Sequence, residues 1–235
     1  MFLEKMLQSQ GFGARKHCQQ LIKNGAVQIH GVLKTNPKEK IELQNLCFSV
    51  YGEQYQYREK VYIALNKPQG YECSHQATHH FSVFELFDDV LYQRGIQCVG
   101  RLDQDTTGLL LLTDDGQFLQ ALTHPKKHVA KVYKMVTADP VTDHQIIQLE
   151  QGVELRNEAG VFAATDVKKL DEHVLQMTIH QGVYHQVKRM LAAVGNKVEQ
   201  LHRAQIGALH LPELAEGEWT YLTQEQIDLA KYRDI

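Results

Sequence analysis

One stretch constrains this chain more than any other: Gly100-Arg101-Leu102-Asp103-Gln104-Asp105-Thr106-Thr107-Gly108, followed by Leu109-Leu110-Leu111-Leu112-Thr113-Asp114-Asp115-Gly116. A polar loop with two carboxylates and two hydroxyls runs straight into four leucines, a short apolar run of the kind that forms a buried strand. A rigid apolar element then holds the loop in place, which is how precise sites are built. Asp103, beside Arg101, is a candidate catalytic carboxylate. Asp105 reads equally well as turn chemistry, and Asp114 or Asp115 as a helix N-cap.

Around that loop the pattern predicts short strands at Val61 to Leu65, Val132 to Val136, Val174 to Ile179 and Thr220 to Leu222, separated by helix signals. Thr142 with Gln145 and Thr223 with Gln226 have capping-box spacing, and Gly152 and Gly195 sit where helix C-caps belong. Strands and helices mixed without a strict alternating rhythm predict an α+β fold around a mixed, mainly antiparallel sheet.

The N-terminal stretch has a different character. Phe2 to Leu7 and Ala14 to Lys23 have helical spacing, with Gly11-Phe12-Gly13 between them. Asn24-Gly25 stops the second helix, and Val27 to Ile29 turns through His30-Gly31 into Val32 to Lys34, a tight hairpin. Residues 51–59 are polar and aperiodic and read as a linker, so domains are expected over 1–55 and 60–235. Formal charge divides along the same line. The first 50 residues carry seven Lys or Arg against three Glu, a surplus of four, which leaves −7 for the remainder of a chain whose net charge is −3. A local cationic surface is all that phosphate binding needs, although a solvated helix face has the same composition.

Ala14-Arg15-Lys16 and Asn24-Gly25-Ala26-Val27-Gln28-Ile29-His30-Gly31 resemble the S4 RNA-binding domain, with Phe2 where that family usually has arginine and Ala14 where it usually has serine. The resemblance implies that Arg15, Lys16 and Lys23 face RNA. The Gly100 to Gly116 run is similar to the signature loop of the RsuA-type pseudouridine synthases. The likeness continues through Asn66-Lys67-Pro68-Gln69-Gly70, Leu122-Thr123-His124-Pro125, Lys131-Val132-Tyr133 and Tyr184-His185-Gln186-Val187-Lys188-Arg189-Met190. Together with the S4-like start, it spans nearly the whole chain.

That resemblance implies an enzyme that isomerises a uridine of small-subunit (16S) ribosomal RNA to pseudouridine. Asp103 matches the essential aspartate, Tyr133 the tyrosine packed on the target base, and Lys188 the cation beside the aspartate. The reaction breaks the N1–C1′ bond, turns the uracil and joins C5 to C1′, so a carboxylate must act at the ribose. An enclosed carboxylate needs a neighbouring cation to remain charged, a role Lys188 fits. The implied RNA contacts in this domain are Arg101, Thr106, Thr107, Lys67, Lys131, Gln186 and Arg189. Val183 departs from the arginine or lysine common in relatives. An isomerisation with no redox change requires neither cofactor nor metal.

The remaining features narrow the partners. Cys18, Cys47, Cys73 and Cys98 form no CxxC pair and read as ordinary reduced thiols, and the 13 histidines show no HExxH spacing. No apolar run approaches the roughly 20 residues of a membrane helix, and Met1 to Gln10 lacks the layout of a secretion signal. The expectation is a cytoplasmic monomer acting on ribosomal RNA or a ribosome-assembly intermediate, with no membrane partner. The alternatives are a large-subunit (23S) RNA synthase and a non-catalytic S4-type assembly protein.

Overall fold

The computed structural model describes residues 1–233, apart from the side chain of Pro125. The chain divides into two compact units, one of Met1–Val61 with Phe87–Gln97, the other of Tyr62–Leu86 with the residues from Cys98 onward. The single break between residues 55 and 60 expected from composition does not provide for that return of 87–97 to the first unit. The last two residues of the expected 60–235 domain lie outside the described ones.

In the first unit, helices Leu3–Ser9 and Arg15–Lys23 precede a four-stranded antiparallel sheet ordered Val32–Lys34, Val27–Ile29, Cys47–Val50, Glu53–Gln56. Leu3, Met6 and Leu7 on one helix and Cys18, Leu21 and Ile22 on the other recur at three- and four-residue spacing, and all are buried. The hairpin turns through His30 (φ 47°) and Gly31 (φ 78°), the two left-handed positions a tight two-residue turn demands. Part of the stretch read as a linker is in fact the edge strand Glu53–Gln56, whose Tyr55 packs on Phe12 and Phe48. An edge strand with one solvated face has a polar composition, which is why it resembles a linker in sequence. Segment 87–97 is tied in by Arg94, whose guanidinium donates to the Arg58 carbonyl at 2.6 Å and to Gln10 Oε1 at 3.1 Å. Leu91 and Ile96 are buried beside it.

The second unit is built on a mixed sheet in which seven strands run in the order Thr165–Asp171, Val174–Ile179, Lys131–Thr137, Val198–Ile206, Thr106–Thr113, Tyr62–Lys67, Trp219–Tyr221. Every adjacent pair along this path is antiparallel except Val198–Ile206 with Thr106–Thr113, which is parallel. The α+β architecture therefore follows the expected pattern. Leu109 to Leu112 are each 0% exposed, so the four-leucine run is apolar on both faces of the sheet. Leu109 and Leu111 pack with Phe118, Leu122 and Ile227. Each such side chain contributes about 2 kcal/mol of burial, which anchors the loop that precedes the strand.

Helix signals hold locally as well. Thr142 and Thr223 form the capping boxes their spacing predicts, Asp115 caps Gly116–Thr123, and Gly152 (φ 95°) ends Asp143–Gln151. Among the described residues no helix is long and apolar enough to cross a membrane.

Candidate active site

The parallel pairing of Leu201, His202 and Arg203 with Thr106, Thr107 and Gly108 sets the start of the four-leucine strand beside Val198–Ile206. Lys131 and Tyr133 lie opposite Ile206 and Arg203 on the next strand. A cavity of about 320 Å³ opens at this place, large enough for a nucleobase, and its walls include Arg101, Asp103, Thr106, Tyr133, Lys188 and Arg203.

The Asp103 loop is braced from beneath. Lys67 is 0% exposed, and its ammonium donates to the carbonyls of Pro68 at 2.9 Å, Gln104 at 3.2 Å and Thr106 at 2.9 Å. Burial pushes the Lys67 pKa down, against the opposing pull of Cys73, Asp105 and Asp103. The Thr106 amide donates back to the Asp103 carbonyl at 3.1 Å, and the Gly70 amide to that of Gln104 at 2.9 Å. Lys67, expected to touch RNA, is therefore a buried strut with three carbonyls filling its donors. Cys73 Sγ accepts the Leu102 amide at 3.5 Å, and a hydrogen bond from Cys98 draws its thiol below the usual range despite burial.

Two groups close on Asp103. Lys188 Nζ lies 3.2 Å from Asp103 Oδ2 and 2.6 Å from Asp105 Oδ1, and His185 Nε2 lies 3.3 Å from Asp103 Oδ1. Burial alone would lower the Lys188 pKa, but the hydrogen bond to Asp105 and the Asp103 charge outweigh it and the net shift is upward. Burial would likewise raise Asp105, yet the Lys188 hydrogen bond and charge hold it below the ordinary carboxylate range. The ammonium is thus shared between two carboxylates, and Asp105, which in sequence reads equally as turn chemistry, is its shorter contact. His185 escaped the sequence analysis although it stands inside the quoted motif. Its φ of 51°, at the entry to helix Gln186–Ala193, is what swings the ring toward Asp103, and no local pattern announces that.

Tyr133 is 7% exposed and forms part of the cavity wall, with Arg203 Nη1 3.5 Å from its phenol oxygen. Lys188 projects from Gln186–Ala193 beside the buried stripe of Val187, Met190 and Leu191. Arg101 is exposed at the cavity, and Lys16 and Lys23 are exposed on their helix.

Several expected RNA contacts are spent elsewhere. Arg189 Nη1 pairs with Glu158 at 3.1 Å and with the Tyr184 carbonyl at 3.0 Å, while Nη2 donates to the Arg156 carbonyl. Gln186 is 3% exposed, its amide accepting from Val183 and donating to Gln181. The Thr107 hydroxyl pairs with His202 Nδ1 at 2.9 Å, and that of Thr106 is buried with no partner among the described residues. Lys131 donates to the Val129 carbonyl at 3.0 Å, and burial, with Arg203 nearby, pulls its pKa down to about 8. Arg15 chelates the buried Glu4 through Nε at 3.0 Å and Nη2 at 2.6 Å. For Arg189, Lys131 and Arg15 a cation beside a backbone carbonyl or a carboxylate gains a charge-assisted hydrogen bond within the fold.

A braced loop carrying an aspartate, a lysine bridged to it and an aromatic wall meet in one cavity. The family model for RNA pseudouridylate synthase matches residues 61–193, and the chain belongs to that family of isomerases. Its similarity to particular members is extensive. It is 40% identical over 237 residues to ribosomal small subunit pseudouridine synthase A of Vibrio vulnificus, covering 97% of this chain and 98% of that protein. It is 39% identical to an uncharacterized RNA pseudouridine synthase of Bacillus subtilis, with the same coverage. A solved structure described as a pseudouridylate synthase matches with a TM-score of 0.70 at 37% identity, over 98% of this chain and 99% of that one.

Proposed function

We propose that this enzyme converts a specific uridine of small-subunit ribosomal RNA, of the uridine-516 class, to pseudouridine with Asp103 acting at the ribose. The observation that carries the reading is the bridge of Lys188 between Asp103 and Asp105 at the wall of a cavity that also contains Tyr133. Relatives named as small-subunit synthases, similar along nearly their full lengths, support the choice of RNA.

The residues divide the work. The target base is extruded into the cavity, at a cost of a few kcal/mol for unstacking, and lies against the Tyr133 ring. Asp103 meets the ribose, at C1′ as nucleophile or at C2′ as base, and in either route the uracil departs with negative charge. Lys188 and His185 hold the carboxylate in position, and Lys67 fixes the loop beneath it. Once C5 has joined C1′, the Tyr133 phenol oxygen takes the C5 proton. The N-terminal unit serves as an S4-type clamp in which Lys16 and Lys23 meet phosphate, and the enzyme works as a cytoplasmic monomer on RNA or an assembly intermediate.

The test is a pseudouridine map. Carbodiimide-dependent primer extension on cells lacking the protein is expected to show one missing small-subunit site, restored by the wild type and not by Asp103→Asn. A small-subunit map that stays complete while a large-subunit site disappears would transfer the enzyme to the other RNA. Restoration by Asp103→Asn would remove the carboxylate from the chemistry, and unchanged maps of both RNAs would point to a non-catalytic role.

A further inference from the structure

The active cavity also contains a buried arginine that the mechanism above leaves without a task. Arg203 is 2% exposed and stands directly across the sheet from Tyr133. Its Nε donates to the Leu109 carbonyl at 2.8 Å, its Nη1 lies 3.5 Å from the Tyr133 phenol oxygen, and its Nη2 has no hydrogen-bond partner among the described residues. The strand bearing Arg203 can approach this closely because residue 108 lacks a side chain: a Cβ there would fall 2.4 Å from the Arg203 carbonyl oxygen. No carboxylate pairs with the guanidinium among the described residues, whereas Lys188 in the same cavity has two. A buried cation with an idle donor and no paired carboxylate is costly to keep, and such groups persist where charge develops during a reaction.

We propose that Arg203 is a positioning residue for the Tyr133 phenol, fixing its oxygen in the cavity and stabilising it as the phenolate that accepts the C5 proton. The inference rests on the reading of Tyr133 as that acceptor. After C5 has joined C1′, the ring carries an sp3 C5 and a C6–N1 double bond. The phenolate takes the proton, the C5–H pair becomes the C5–C6 double bond, and the C6–N1 π pair moves to N1, which is protonated from solvent. The phenol then returns its proton to solvent, so the step balances as an isomerisation. Contact at 3.5 Å is long for a neutral phenol and shortens when the oxygen is charged, so the bond is strongest in the phenolate that awaits the proton and relaxes once the proton has been taken.

Two substrates separate this role from a structural one. With uridine at the target, tritium release from C5 requires the proton transfer. With 5-fluorouridine there is no C5 proton, and formation of the C5-linked nucleoside, read by mass spectrometry after digestion, reports only cleavage and rejoining. Arg203→Met is expected to slow tritium release about 100-fold in single turnover while leaving the fluorinated rearrangement within about twofold, a margin near 0.4 kcal/mol that lies inside the scatter for sites without a role in that step. Tyr133→Phe should behave alike, and the double variant should lose nothing further. Arg203→Lys, which keeps the charge but not the fork, should show a smaller selective loss, and it carries the test if the methionine variant fails to fold. Equal slowing of both reactions, or of neither, by the Arg203 variants while Tyr133→Phe remains selective would overturn the proposal. If Tyr133→Phe itself spares tritium release, the acceptor role of Tyr133 falls, and this one with it.

Discussion

Lys188 has to satisfy two carboxylates with one ammonium, and that sharing is the electrostatic centre of the site. Asp105 takes the shorter contact at 2.6 Å, which leaves Asp103 the longer one at 3.2 Å and a second neighbour in His185. Asp103 is therefore held by the longer contact and by the imidazole together, which suits the role at the ribose proposed for it. Lys188→Met is expected to lower the turnover rate, measured by tritium release, about 100-fold, and a variant as fast as wild type would contradict the assignment. The same substitution has a signature in stability. The Asp105 pKa lies below its ordinary value in the fold, so its stabilising contribution is present above pH ~4 and is lost as pH falls through the depressed value. Lys188 titrates above its ordinary value, so its contribution is present below pH ~10 and is lost as pH rises through the raised one. Lys188→Met should flatten both limbs of the stability profile, measured by urea unfolding from pH 3 upward.

At the scale of elements, the site depends on how closely two strands approach. Thr106–Thr113 and Val198–Ile206 make the one parallel join on the path of the sheet, and Gly108 lies at it with φ of 101°. A methyl group there would meet the Arg203 carbonyl oxygen at 2.4 Å and its amide nitrogen at 2.9 Å, both backbone atoms that cannot swing aside. Gly108→Ala should cost about 3 kcal/mol from the left-handed φ and the overpacking together. For a chain of this size that lowers the thermal midpoint by roughly 6–12 °C. Gly116→Ala is the control, since nothing lies within 4 Å of the added methyl group, and it should be neutral or slightly stabilising. Equal midpoints for the two variants would show that the close approach is not needed. The helix Gln186–Ala193 contributes differently: its buried stripe fixes the axis, and its left-handed entry at His185 decides which side chains reach the aspartate.

For the whole molecule, the two units differ in charge as well as in architecture. The surplus of four positive charges lies within the first 50 residues of a chain that is negative overall. Removing that unit by truncation is a poor test, because residues 87–97 belong to it and would be stranded with Leu91 and Ile96 uncovered. Substituting exposed charge in the intact protein is cleaner. Lys16→Gln with Lys23→Gln is expected to weaken RNA binding and to reduce the steepness of log affinity against log salt by roughly 2, with the thermal midpoint unchanged. An unchanged salt slope would place the RNA elsewhere.

The sequence by itself determined what depends on neighbours along the chain. The paired helices, the hairpin at His30-Gly31, both capping boxes and the strand after the Asp103 loop are set by local periodicity and turn chemistry, and the structure shows each where the pattern puts it. Tyr133, by contrast, reads as an ordinary sheet residue until the fold turns it toward the cavity, and Lys67 reads as a surface cation until three carbonyls surround it. The second partner of Lys188, the approach of His185 and the burial of Arg203 were likewise decided only by the tertiary structure. Those contacts join residues up to 94 positions apart, as in the Arg203–Leu109 hydrogen bond. Local spacing can specify which way a side chain leaves its own strand or helix, but what it meets there is fixed by strand order and register.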